Sequence, residues 1–97
     1  MDRKSDFKEM ERCSELLKVL GHPIRLCITK GLWEEGEKKV GEMQDCLELP
    51  QSTVSQHLNT LKMAGIIEGV RHGKEVNYHI CHDEVVDLLG VLFKEKE

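Results

Sequence analysis

The sequence predicts a mainly α-helical domain with one small β-hairpin, its elements in the order α-α-α-α-β-β-α. Three observations predict it: helical spacing between Pro50 and Gly65, a switch to alternating apolar residues directly afterwards, and further helical apolar stripes on either side. In PQSTVSQHLNTLKMAG (residues 50–65), Val54, Leu58 and Leu61 recur at four and three residues and so share one helix face. Ser52, Ser55, Gln56 and Asn59, with Lys62 beside them, fall on the opposite face as hydrogen-bonding or cationic side chains. Such a face suits groove edges and phosphates. Pro50 fits a first helical turn, and Gly65 fits the left-handed residue that ends a helix. Fifteen residues at 1.5 Å each make a rod of roughly 22 Å, long enough to lie along a major groove. An ordinary amphipathic surface helix would show the same spacing, so the neighbouring segments decide.

After Gly65, Ile66, Ile67 and Val70 lead into RHGKE, and Val76, Tyr78 and Ile80 then take every second place. This pattern predicts a two-stranded hairpin with one buried face. Its tip carries Arg71, His72, Gly73 and Lys74, with Gly73 supplying backbone freedom and the cations placed where a phosphate backbone passes. A polar-faced helix followed by a basic-tipped hairpin describes a winged helix-turn-helix. Upstream, Val40, Met43 and Leu47 have the spacing of a short helix, and the Leu49-Pro50 break separates it from the reading helix. The helix-turn-helix therefore covers about residues 40–65 and the wing about residues 66–80.

Ile24, Cys27, Ile28, Gly31 and Leu32 fit a helix beginning at Pro23, with residues 34–38 (EEGEK) as its polar exit loop. Met10, Cys13, Leu17 and Leu20 form one stripe, while Val85, Val86, Leu88, Leu89, Leu92 and Phe93 make the last segment apolar over much of its circumference. Terminal helices at about 5–20 and 83–95 with so much apolar surface predict a homodimer joined through them.

Ninety-seven residues make a single domain, 1–97, whose core must be mainly aliphatic because the chain has one Trp, one Tyr and two Phe. No apolar run approaches a membrane span and the charged amino terminus lacks a signal-peptide core, which predicts a cytoplasmic protein. The net charge of −4 is unevenly spread. Residues 1–49 carry nine Lys/Arg against eleven Asp/Glu, residues 50–79 three against two, and residues 80–97 two against five. The reading segment is thus the net-positive part, and it holds three histidines besides. Acidic surface elsewhere lowers non-specific DNA affinity and leaves more discrimination to base contacts. No phosphate-cradling glycine loop, nucleophile elbow or HExxH is present, so nothing supports an enzyme. Five histidines and four cysteines are scattered without the paired spacing of a structural zinc site.

The chain resembles the ArsR/SmtB family of winged-helix repressors in three segments: LKVLGHPIRL (residues 17–26), QSTVSQHLNTLKMAGII (residues 51–67) and the wing GKEVNYHI (residues 73–80). The resemblance implies a homodimer that binds an inverted-repeat operator on double-stranded DNA and releases it when an inducer is sensed. By position it implies groove-reading roles for Gln51, Ser52, Ser55 and Gln56 and phosphate contacts for Arg71 and Lys74. Thr53 and Asn59 belong to the same DNA-binding set, and His57, between the two faces, suits packing and phosphate contact equally.

The inducer is not set by the resemblance. Where the family's arsenic and lead/cadmium sensors carry a C-V-C-D-L-like run, this chain reads Lys39-Val40-Gly41-Glu42-Met43, without the thiols that trivalent arsenic needs. At the last-helix site of the zinc and nickel/cobalt sensors, His82, Glu84 and Glu95 are the weak counterparts, an incomplete set for zinc or another divalent metal. Persulfide sensors oppose two cysteines where this chain has Lys30 and Lys94. Of the cysteines present, Cys13 and Cys27 sit on apolar faces as small core residues and Cys46 is ambiguous. Cys81 lies between His79 and His82, where a cationic imidazole favours thiolate and Asp83 and Glu84 oppose it. Cys81 is therefore the first redox candidate, with Cys13 or Cys46 as its partner. The competing reading is a winged-helix protein-interaction module without specific DNA binding, against which stands the polar stripe, whose one apolar side chain is Met63.

Overall fold

The computed structural model describes residues 3–94. Its elements are α1 (Arg3–Leu20), α2 (Pro23–Glu35), β1 (Lys38–Lys39), α3 (Val40–Leu47), α4 (Gln51–Met63), β2 (Ile67–His72), β3 (Glu75–Ile80) and α5 (Asp83–Leu92). The fold is a winged helix-turn-helix, with α3 and α4 as the helix pair and β2–β3 as the wing.

Each boundary has a local cause. His22 starts α2 by accepting the Ile24 N–H on Nδ1 at 3.1 Å, and Pro23 occupies the first helical position. Arg25 then reaches back, its Nε donating to the Val19 carbonyl at the end of α1 at 2.7 Å. Gly36, at φ 96°, stops α2 and returns its N–H to the Leu32 carbonyl. The Lys39 N–H donates to the Glu42 carboxylate at 2.8 Å, closing the first turn of α3. Pro50 is the residue before α4, one place earlier than the sequence suggests, because its ψ of 150° is extended. At the far end Gly65, at φ 75°, donates to the Lys62 carbonyl and Ile66 to the Leu61 carbonyl, a Schellman closure that buries Ile66 beside Leu61.

The expected exit loop at residues 34–38 is corrected on two counts. Helix α2 continues to Glu35, and Lys38–Lys39 form β1, which pairs antiparallel with β3 to give the sheet order β1-β3-β2. The hairpin tip is also tighter than expected. His72 pairs with Glu75, so Arg71 and His72 belong to β2 and the turn is Gly73-Lys74, with Gly73 at φ 68°. In the register opposite Tyr78, Gly69 admits its neighbour closely: a Cβ there would lie 2.7 Å from Val76 Cγ1.

The core gathers Leu32 from α2, Met43 from α3, Val54, Leu58 and Leu61 from α4, Ile66 and Ile67 at the wing base, and Val85 and Leu89 from α5. Thr29 is wholly buried among them, its hydroxyl donating to the Leu26 carbonyl at 3.0 Å. The inward face of α2 is thus Ile28, Thr29 and Leu32; Cys27, expected in the core, is rotated out of it and exposed, and Cys13 is half-buried. On the terminal helices Leu20, Val85 and Leu89 are buried, but Phe7 (64% exposed), Met10 (57%), Leu17 (56%), Val91 (70%) and Leu92 (54%) face outward. Helix α5 ends at Leu92, short of the expected residue 95.

Candidate nucleic-acid interface

Burial divides α4 cleanly. Val54, Leu58 and Leu61 are buried, whereas Gln51, Ser52, Ser55, Gln56, Asn59 and Lys62 are exposed along one side. Thr53 is half-buried. Packing of α3 against α4 and of α4 against the wing base fixes the outward helix face relative to the hairpin.

Two grooves border this face. One is lined by Lys39, Gln51, Ser55, Lys74 and Glu75, where the start of α4 meets α3 and the wing. The other holds Lys62 and Arg71 with Glu68, where the end of α4 meets the wing. Both grooves mix charges: the first sets Lys39 and Lys74 among Glu42, Asp45 and Glu75, and the second sets Lys62 and Arg71 beside Glu68. Sequence reasoning missed Lys39, which reaches across the first groove to Glu75 at 2.9 Å and fastens the wing to the start of α3. Its signal was hidden because the strand that places it is two residues long.

His57 is half-buried and packs against α2. Its Nδ1 lies 3.3 Å from the Arg25 guanidinium, and its ring centroid is 4.6 Å from that of His22. Burial, then the neighbouring His22 and Arg25, hold the His57 pKa below its ordinary value. A base whose folded pKa is depressed contributes stability that is full above the unfolded pKa, about 6.5, and is lost as pH falls through the folded value. Urea unfolding should therefore weaken more steeply on acidification in the native chain than in His57→Gln. Equal slopes would remove His57 from the acid response.

The cysteine and metal candidates fare differently. All four cysteines are free thiols, with Cys46 and Cys81 exposed. At Cys81, burial and then the Glu68 carboxylate push the thiol pKa up, opposite to the expected stabilisation of thiolate, and the thiol donates to the Gly65 carbonyl at 3.6 Å. His79, the expected cation, is instead paired with Glu68 at 2.9 Å across the β2–β3 register. Glu84 is held by Arg12 at 2.9 Å, an exposed pair that keeps its carboxyl below the usual range and joins the terminal helices. His82 precedes α5 with its Nδ1 buried and unpartnered. Among the described residues no three His, Cys, Asp or Glu side chains come together to hold a metal, and Glu95, the third member of the candidate set, lies outside them. No described helix is long and apolar enough to cross a membrane.

An exposed polar face on the second helix of a helix-turn-helix, followed by a hairpin with a basic tip, places the protein in the class of winged helix-turn-helix DNA-binding regulators. A helix-turn-helix domain family matches residues 20–70. The transcriptional repressor PagR of Bacillus anthracis is 38% identical over 95% of this chain and 92% of its own length. Its crystal structure superposes with a TM-score of 0.80 at 35% identity, covering 89% of this chain and 98% of PagR. The repressor SmtB of Mycobacterium tuberculosis is 38% identical over 82% of this chain and 58% of its own. The homodimeric winged helix-turn-helix DNA-binding domain Mb0332 of Mycobacterium bovis, a possible ArsR-family regulator, has a TM-score of 0.79 at 27% identity, covering 95% of this chain and 82% of that one. The chain belongs to the ArsR/SmtB family of winged helix-turn-helix transcriptional repressors.

Proposed function

We propose that this repressor works as a homodimer that reads an inverted-repeat DNA operator with its two α4 helices and lets go when an inducer is sensed. The observation that carries the reading is the exposed run Gln51, Ser52, Ser55, Gln56 and Asn59 on α4, with Lys74 of the wing beside the start of that helix and Lys62 and Arg71 beside its end. Amide and hydroxyl side chains hydrogen-bond base edges, while the flanking cations position the duplex through its phosphates. Outward Phe7, Met10 and Leu17 on α1, with Val91 and Leu92 on α5, supply the apolar surface for a second copy, and the Mycobacterium bovis relative is homodimeric. A two-fold dimer sets the α4 helices about 34–36 Å apart, one turn of DNA.

Fluorescence anisotropy on duplexes from upstream of the protein's own gene tests this, with light scattering on the same samples for the dimer. Tight, saturable binding by a dimer is expected, with a steep salt dependence. Arg71→Ala and Lys74→Ala should each lower affinity for all sequences alike and reduce the salt slope by about 1. Absence of sequence-selective binding to this DNA would favour a protein-interaction role for the same surface.

A further inference from the structure

We propose that Cys27, Met43 and Cys46 form a binding site for a soft monovalent ion of the Cu(I) type in the cavity between α2 and α3. All three line one cavity of about 170 Å³. Met43 and Cys46 are three residues apart on α3 and therefore share a helix face, while Cys27 approaches from α2. The thioether is buried at 3% exposure, and the two thiols are exposed and so reachable from solution.

The donor chemistry selects the ion. Thiolates and thioethers together favour Cu(I), whereas zinc takes thiolate, imidazole and carboxylate ligands and gains little from a thioether. Met43 is the one thioether lining the cavity beside the two thiols, and a thioether is a donor that a soft ion accepts and zinc does not favour. Charge and protons are accounted for. Binding forms two S–Cu bonds as two thiol protons leave to solvent, with Met43 contributing a neutral lone pair, so the complex carries one negative charge. Lys30 and Lys38 line the same cavity together with Glu34 and Glu35, and Lys38 lies 3.6 Å from the Glu35 carboxylate, so the lining itself is charge-balanced and the anionic complex would rest on its open, solvent-reachable side. Because α3 packs on α4, an ion drawing α3 toward α2 is placed to disturb the reading helix; this consequence, unlike the site, rests on the DNA-binding reading.

The test is anaerobic titration of the fully reduced protein with Cu(I) buffered by bicinchoninate, followed through the thiolate-to-Cu(I) charge-transfer absorption. One ion per chain should be taken from the chelator, unaffected by equimolar zinc. Cys27→Ser and Cys46→Ser should each abolish that uptake, Cys13→Ser and Cys81→Ser should leave it intact, and Met43→Leu should weaken it about tenfold or more. Leucine conserves volume, so a Met43→Leu protein that unfolds like the native one shows that a donor, not the fold, was removed. No uptake by the native chain, uptake indifferent to Cys27→Ser or Cys46→Ser, or uptake unchanged in Met43→Leu would each overturn the site. DNA affinity is read separately on the same samples: a chain that takes up Cu(I) but binds no duplex overturns the DNA-binding reading and leaves the site standing.

Discussion

Leu61→Ala should lower the unfolding free energy by about 2–5 kcal/mol, the range for truncating a fully buried leucine. Leu61 has 0% exposure, stands beside Leu58 on the inward face of α4, and accepts the Ile66 N–H on its carbonyl where the helix gives way to the wing. Removal of its side chain takes away apolar burial and leaves a cavity at the junction of helix and hairpin, which limits how far the surroundings can close over the gap. A domain of this size is stable by roughly 5–15 kcal/mol, so the loss is a large fraction of the whole. The measurement is urea unfolding of native and variant chains at one matched concentration, because dimer stability depends on concentration. A shift below about 1 kcal/mol would mean that Leu61 is not the centre of the packing between α4 and the wing.

The contrast between Leu61 and its helix neighbours shows what was legible in the sequence. Periodicity alone separated the buried Val54, Leu58 and Leu61 from the exposed Ser52, Ser55, Gln56 and Asn59, because the helix has one core-facing stripe and repeats regularly. The end at Gly65 was readable for a similar reason, since a left-handed residue selects glycine. What depends on strand register was not readable. His79 flanks Cys81 in sequence, yet antiparallel pairing sets it opposite Glu68, so the imidazole goes to that carboxylate, while burial and then the same carboxylate raise the thiol's pKa. Strand β1 carries two lysines and no apolar alternation, and its existence follows from pairing with β3 alone. Burial of Thr29 and exposure of Cys27 turn on a helix rotation that the similar character of neighbouring side chains leaves open. The HPxR segment was visible as a motif but not as a device: His22 caps α2 while Arg25 links the Val19 carbonyl of α1 to His57 of α4.

The reading face makes the sharper functional prediction. Replacing Ser52 and Gln56 together with alanine should weaken specific operator binding by about 1–3 kcal/mol for each well-made hydrogen bond to a base that the change removes, while affinity for unrelated duplex falls far less. Both side chains are exposed on the outer side of α4, and alanine has the higher helix propensity, so neither the fold nor the inward packing is disturbed. Net charge is unchanged too, which leaves the phosphate attraction and its salt slope as they were. This separates the pair from Arg71 and Lys74, whose removal should weaken every duplex alike and flatten the slope. Anisotropy titrations of operator and scrambled duplexes at several salt concentrations measure both quantities on one set of proteins. Unchanged operator affinity in the Ser52→Ala/Gln56→Ala chain would mean that specificity comes from DNA shape or from another element, and the assignment of α4's outer face as the base reader would have to be given up.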